Sequence, residues 1–404
     1  MLFKNNKSIL LVCFIFLGCT TEKSGPFDIP SEILEMENIT IYSPEEIAKT
    51  DTVRLINEVS FGDTDDLFIG RILGFQVDKN SRVYINDGAH EARTIHVYEP
   101  DGTYIKSLGD YGEGPGEFRS PGILRLYSDK LYVYDFELNR LTSYSIHSLE
   151  LLETYQFDPN MIEGAEAIKG MRLSDYYVLN ENTLIVGFKR PQKYFEEKPG
   201  SYHYFKTDIA FNKLGKEVFD QLAVLEAWGE FNGMRIMKMF PFFEKPMRTV
   251  SASGRIFTAN SSDFLIKEHS LEGNIIGGFY YPSKKESVTR SDALSASNMM
   301  TREIARNTDL PQSWPVLTSF FTDDDERIWV STFTKNDHEI QWWILQPSGE
   351  LIARFVLPGN RYSDPRISNN IINMAHNGYF YSRETNDETG TERVVKYRIQ
   401  IGGN

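Results

Sequence analysis

A polar turn followed by a short β-rich run recurs six times along the chain, and no other feature limits the fold as much. The copies are Lys79–Ile85, Ser128–Val133, Asn180–Val186, Ala252–Thr258, Asp323–Val330 and His376–Tyr381. Their central residues Tyr84, Tyr132, Ile185, Phe257, Trp329 and Phe380 lie 48, 53, 72, 72 and 51 residues apart. A period of roughly 40–50 residues is that of a four-stranded propeller blade, so the two long spacings carry insertions. A second strand pair follows each copy, most clearly around Pro100-Asp101-Gly102, Leu271-Glu272-Gly273 and Pro347-Ser348-Gly349. In such turns the glycine supplies φ > 0 or makes room for a close approach. Each repeat reads as strands a, b, c and d with tight a–b and c–d turns.

The sixth repeat is one strand short. After Arg393–Ile401, its strand c, only three residues remain, while Thr52–Phe61 is a strand with no blade of its own. If that strand supplies the outer edge of the sixth blade, the ring closes and the aggregation-prone open edge disappears. The expected fold is therefore all-β, a six-bladed β-propeller of four-stranded antiparallel blades over residues 49–404. An N-terminal strand closes it, and it carries a short helical insertion.

The first residues carry an address. Lys4 and Lys7 precede the nine-residue apolar run Ile9–Leu17, which is too short for a bilayer span of roughly 20 residues. A charged start, a short apolar centre and a small residue before the cut describe a secretory signal peptide over residues 1–18. Phe16-Leu17-Gly18-Cys19 resembles the bacterial lipobox, with Phe16 in place of the usual Leu. That resemblance implies cleavage before Cys19 and lipid on its sulfur. The alternative is an ordinary signal peptide with an incidental cysteine. Cys13 and Cys19 are the two cysteines of the chain, so cleavage and lipidation would leave a mature chain with no free thiol, which suits export. Residues 19–48 read as the lipidated tether. The expected location is the cell envelope, on the periplasmic side or the outer surface, with the membrane as one partner.

At the join of the first two repeats the pattern becomes specific. Gly112-Glu113-Gly114-Pro115-Gly116-Glu117-Phe118, then Pro121 and Ile123, Leu131–Asp135 and Asn139-Arg140-Leu141 resemble an NHL repeat, with Ile123 one place early. Together with the lipobox, the chain resembles the six-bladed β-propeller lipoproteins of Bacteroidota. The resemblance implies that Asp87 and Asp135, which end their b strands, organise the following loop, and that Arg140 does the same. They either brace the loop or contact a ligand.

Composition and motif spacing exclude several chemistries. With 43 Lys and Arg against 57 Asp and Glu, a net charge of -14 argues against a nucleic-acid partner. Gly112–Gly116 lacks the Lys-Ser/Thr and the following helix of a phosphate loop. The acidic runs Asp323–Glu326 and Asp63–Asp66 lack the alternating ligands of an EF-hand, and the first is expected to be a solvated a–b turn. The seven histidines have no metal-ligand spacing, and no Gly-x-Ser-x-Gly elbow occurs. No cofactor, metal or catalytic residue is assigned.

Loop lengths carry the functional signal. The a–b and c–d turns are short, whereas the b–c and d–a connections are long, above all Leu222–Arg248 and Pro282–Trp314. In a propeller those long loops share one face, and long loops are where binding residues gather. Candidate binding residues are Asp87, His90, Arg93, Asp135, Arg140, Trp228, Phe231 and Arg361. Residues 224–247 are rich in aromatics and methionine, which either contact a partner or pack over the ring. Residues 286–308 have the spacing of a helix lying on that face. The expected function is a non-catalytic binding or scaffold module for a glycan, peptide or protein. The rival is a calcium-dependent lactonase- or lyase-like enzyme with oxygen ligands converging in the channel.

Acyl chains contribute about 0.8 kcal/mol per buried CH₂, so lipid on Cys19 would hold the protein firmly at a membrane. Cys19→Ala should shift it to the soluble fraction or leave it unprocessed. Unchanged detergent partitioning, with an unchanged mass at the mature N-terminus, would refute the anchor.

Overall fold

The computed structural model describes residues 29–43, 51–64, 67–89, 93–194, 196, 198–363, 373–386 and 388–402. Each copy of the repeated phrase forms the a–b turn and second strand of one antiparallel sheet. Blade one is Ile72–Val77, Val83–Asp87, Thr94–Tyr98 and Tyr104–Leu108; blade two is Pro121–Tyr127, Lys130–Asp135, Arg140–Ser145 and Leu151–Gln156. Blade three is Arg172–Asn180, Thr183–Arg190, Ser201–Asp208 and Leu214–Leu222; blade four is Pro246–Val250, Ile256–Asn260, Leu265–His269 and Ile275–Tyr280. Blade five is Leu317–Thr322, Ile328–Phe333, Glu339–Leu345 and Leu351–Pro358. Blade six takes Asn373–His376, Tyr379–Thr385 and Glu392–Gly402 from the C-terminal end and Asp51–Phe61 from the N-terminal end. The chain is a six-bladed β-propeller.

The b strands read as near-continuous apolar runs because both faces of a blade press against neighbours. Val83–Asp87 is buried at every position. The apolar interior divides into one seam per blade junction. Tyr84, Val97, Leu124 and Val133 join blades one and two; Tyr132, Leu173, Tyr176 and Leu184 join two and three; Tyr177, Tyr204 and Ile256 join three and four. Phe257, Ile266, Phe320 and Val330 join four and five; Phe321, Trp329, Trp342 and Phe380 join five and six; Phe75, Ile85, Tyr381 and Val394 join six and one. Abundant Tyr, Phe and Trp suit this role, since each large ring spans the gap between sheets.

Asp323 corrects one expectation. It is buried rather than solvated, at 2% exposure. It accepts the backbone N–H groups of Asp325 (3.0 Å) and Arg327 (2.8 Å), the Arg327 Nε (2.7 Å) and the Trp329 indole N–H (2.7 Å). Asp78 does the same in blade one, accepting from Asn80 N, Arg82 N and the Tyr84 hydroxyl at 2.8, 2.9 and 3.0 Å. An Asp four residues before an Arg and six before a Tyr or Trp therefore ties the turn to the aromatic of the seam. Counting acids showed the charge but not this geometry.

The closing strand pairs as the short sixth repeat requires. Val53 faces Ile401, Leu55 faces Ile399 and Phe61 faces Val394, with a bulge between Asn57 and Val59. Asp51 and Thr52 also pair in parallel with Ala353 and Arg354, which fuses blades five and six into one eight-stranded sheet. The segment expected to be a tether is partly built into the ring. A helical turn, α1 (Ser31–Leu34), precedes Ile39–Ile41, which pairs in parallel with the outer strand of blade four. Tyr42 then stacks on Tyr281, with ring centroids 4.7 Å apart and planes 9° apart. The β-branched and aromatic run Ile39-Thr40-Ile41-Tyr42 finds an unpaired strand edge there. The signal peptide, the lipobox and Cys19 lie outside the described residues.

Deleting residues 50–62 would strip the outer strand from blade six and uncover part of its seam. The product should aggregate or melt far below the parent, read by size-exclusion chromatography and thermal unfolding. A monomeric product with an unaltered melting curve would refute the closure.

Candidate functional site

The candidate residues near the first blade junction hold loops in place. Asp135 is fully buried and accepts four backbone N–H groups: Arg119 (2.6 Å) and Ser120 (2.9 Å) on one oxygen, Glu137 (2.9 Å) and Leu138 (2.8 Å) on the other. Arg140 donates to the carbonyls of Glu113, at 3.0 Å, and Glu117. The glycine-rich loop is thus pinned from below. Gly109, at φ 75°, has no room for a side chain, because a Cβ would sit 2.3 Å from the Phe118 ring. Asp87 accepts the Ala89 N–H at 2.8 Å and lies 3.3 Å from His96 Nε2. His90 lies outside the described residues. Arg93 is half-buried, 3.9 Å from Glu137 and 5.5 Å from the Tyr111 ring centroid. Arg119 lies 4.8 Å over the same ring, and Tyr111 itself is 48% exposed.

The two large insertions form a folded layer on the long-loop face. Ala227–Phe231 and Met234–Lys238 make a hairpin in which Trp228 faces Met237 and Phe231 faces Met234. Its turn is Asn232-Gly233, both at positive φ, 50° and 77°. Asn-Gly is the strongest short hairpin signal, and it stood in the sequence where only a loop was expected. The single helix expected over 286–308 is two: α2, Arg290–Ser295, and α3, Arg302–Asn307. Thr289 and Asp292 cap α2 reciprocally. Between the helices, Asn298 Oδ1 accepts from the Thr301 N–H and hydroxyl at 3.0 Å each, a side-chain alternative to helical bonding.

The layer has an apolar interior of its own. Phe240, Phe242, Phe243 and Trp314 pack with Ala293, Ile304 and Ala305, so these aromatics face the interior of the layer and not solvent. Arg361 locks the layer down. It is 7% exposed, pairs with Glu286 (2.6 Å) and Asp337 (3.2 Å), and lies over Trp314 and Phe333 at 5.1 and 5.2 Å. Trp228 and Phe231 stay half-buried, and Trp228 meets Tyr194 edge-on at 4.8 Å. A cleft of about 650 Å³ lies between Trp228 and α3, with Glu196, Glu226, Glu230, Glu303 and Asp309 around it. The sequence candidates are therefore not brought into one site: Trp228 lines this cleft, Arg93 stands with Tyr111, and Arg361 is enclosed.

The axial channel is walled by the a strands. At its short-turn end a cavity of about 390 Å³ touches all six blades, from Val77, Leu126, Val178, Val250, Thr322 and Ala375. Arg125, which lines it, pairs with Asp175 at 3.0 Å, and the other carboxylate oxygen of Asp175 lies 3.2 Å from Arg248. Burial alone would lower the pKa of both guanidiniums, but Asp175 and the surrounding tyrosines hold them above their ordinary value. At the long-loop end lies a second cavity of about 250 Å³, and Asn373 lines both. No group of three or more His, Cys, Asp or Glu able to hold a metal occurs among the described residues. The Arg125–Asp175–Arg248 triad and the second cavity had no sequence assignment, although both arginines interrupt otherwise uncharged strands.

A model of the DUF5128 family, described as a 6-bladed beta-propeller, matches residues 32–224, which end with blade three. No curated protein matches. Among solved structures, a member of the duf4221 family from Bacteroides vulgatus is 12% identical with a TM-score of 0.52, covering 88% of this chain and 100% of that one. The likeness is one of fold. A protein from Bacteroides fragilis is 11% identical with a TM-score of 0.49, over 90% of this chain and 99% of that one. The calcium-binding protein regucalcin from Agrobacterium tumefaciens is 12% identical with a TM-score of 0.39, over 90% and 97%.

Asp135→Ala would strand four backbone donors under the glycine-rich loop. Each unsatisfied buried group costs about 1–3 kcal/mol, and solvent entering the opened loop recovers part of it. We expect a net loss of about 2–4 kcal/mol, read as a lower urea midpoint. A midpoint equal to the parent's would show that Asp135 does not brace the loop.

Proposed function

We propose that the chain is an exported, lipid-anchored β-propeller that acts as a binding or scaffold module, engaging a glycan, peptide or protein through its long-loop face. One observation carries this reading: the hairpin and the two helices form a folded layer that ring closure does not require. The opposite face is cut back to tight turns. Layers of this kind are where rigid scaffolds present binding residues. The cleft beside Trp228 supplies an aromatic wall, and five carboxylates around it favour a partner bearing amines, guanidines or many hydroxyls. Tyr194, 63% exposed, extends the aromatic surface. Arg93, Arg119 and Tyr111 offer a second contact patch at the first junction. The charged start, the apolar run Ile9–Leu17 and the lipobox-like Phe16–Cys19 support placement in the cell envelope.

A pull-down from native membranes supplies the partner. Interface energy concentrates in a few aromatic and Arg anchors worth about 2 kcal/mol or more each. Trp228→Ala combined with Arg93→Ala should therefore weaken binding by at least about tenfold while the melting temperature holds. Asp101→Ala and Ser348→Ala, in c–d turns, should leave binding unchanged. Loss from the c–d turn variants alone would place the partner on the opposite face.

A further inference from the structure

We propose that Ser201, His203 and Glu217 form a serine-hydrolase triad on blade three, acting on carboxylic esters with a short acyl group. This activity goes beyond the binding reading above and asks nothing of the cleft beside Trp228. Ser201 opens the c strand of blade three, at its long-loop end. His203 lies two residues on, so both side chains stand on one face of the sheet. The Ser201 hydroxyl donates to His203 Nε2 at 2.7 Å, and His203 Nδ1–H donates to Glu217 Oε1 at 2.6 Å. A nucleophile, a base and the acid that orients the base make contacts in this order. With Glu217 accepting the Nδ1 proton, Nε2 is left as the acceptor for the serine.

A bulge brings the acid to the right face. His203 pairs with Asp220 and Tyr204 with Phe219, but Phe205 then pairs with Glu217, past Val218. In regular register Glu217 would stand opposite Lys206 and face away from His203, because side chains alternate between faces. The cluster is open to a substrate, with the His203 side chain 20% exposed and that of Glu217 41%. A second serine–histidine–acid contact, Ser107–His96–Asp87, is wider at 3.1 and 3.3 Å, and its histidine is 4% exposed. That one braces blade one from within.

Across the sheet, Ser201 faces Arg190 on one side and Leu222 on the other. Side chains opposed in this way have Cβ atoms about 4.5–5.5 Å apart. Leu222 is 63% exposed and offers one apolar side chain of surface, which suits an acetyl group better than a fatty chain. In the reaction, Ser201 Oγ bonds to the ester carbonyl carbon as its proton passes to His203 Nε2. The carbonyl electron pair moves onto oxygen, where the exposed guanidinium of Arg190 offsets the charge. Collapse breaks the bond to the alcohol, which leaves with the proton from His203. Water then attacks the acyl-serine, gives its proton to His203 and releases the carboxylic acid, restoring Ser201.

The test treats the full chain with a fluorophosphonate, maps the label by mass spectrometry, and follows hydrolysis of p-nitrophenyl acetate. Label on Ser201 and saturable hydrolysis are expected, and Ser201→Ala should abolish both while melting as the parent does. His203→Ala and Glu217→Gln should each lower the rate by about 100-fold or more. p-Nitrophenyl octanoate should react at least about tenfold more slowly than the acetate. Ser107→Ala should keep both label and rate. An unlabelled Ser201, hydrolysis that survives Ser201→Ala, labelling indifferent to His203→Ala, activity lost with Ser107→Ala, or faster turnover of the octanoate would each overturn the proposal.

Discussion

Every blade depends on its neighbours, because a four-stranded sheet of this kind has two apolar faces and no interior of its own. The six seams are the interior of the molecule. Trp329 shows the logic: the fully buried ring lies against Phe321 and Phe355 within its own blade and against Phe380 of the next. Stability in such a ring is a sum of neighbour terms, and it holds only while no seam has a free side. Polar groups at the turns serve the same end. Asp78 and Asp323 fix the turn and the seam aromatic with one carboxylate each.

The architecture was legible because its signals are periodic. The repeated turn-and-triplet phrase, the missing outer strand of the sixth blade and the spare strand at Thr52–Phe61 together require a ring of six. What lacked a repeating partner was harder to read. Ile39–Ile41 is three residues long and gains its meaning only from the edge of blade four. The break between α2 and α3 comes from Asn298 and Thr301 bonding each other, which a tally of apolar spacing does not register. The Asn232-Gly233 hairpin was readable from two residues inside a stretch dominated by aromatics and methionines.

The candidate site was less legible than the fold. Loop length pointed to the face that bears the folded layer, yet a loop's length does not say which of its side chains turn inward. Phe240, Phe242 and Phe243 fill the interior of the layer, while Trp228 stays half-buried at its edge. Arg361 has the composition of an anchor and the surroundings of a rivet. Arg125 and Arg248 could not be read from the sequence for a physical reason: a single cation in a strand gains its partner only when the neighbouring blades bring Asp175 to it. The channel is a property of closure, and no local stretch of sequence contains it.

Closure also orders events in time. The strand Asp51–Phe61 is synthesised long before its partner Glu392–Gly402, so the joining contact bridges a wide separation in sequence. Pairings this distant in sequence form slowly. Until the final strand arrives, five blades and a waiting strand exist as an arc with open edges. Maturation of the protein therefore includes a period in which Asp51–Phe61 waits for its partner strand. A chaperone acting on it would be expected to guard that edge, and any ribosome stalled before the last blade would yield a product with no native alternative.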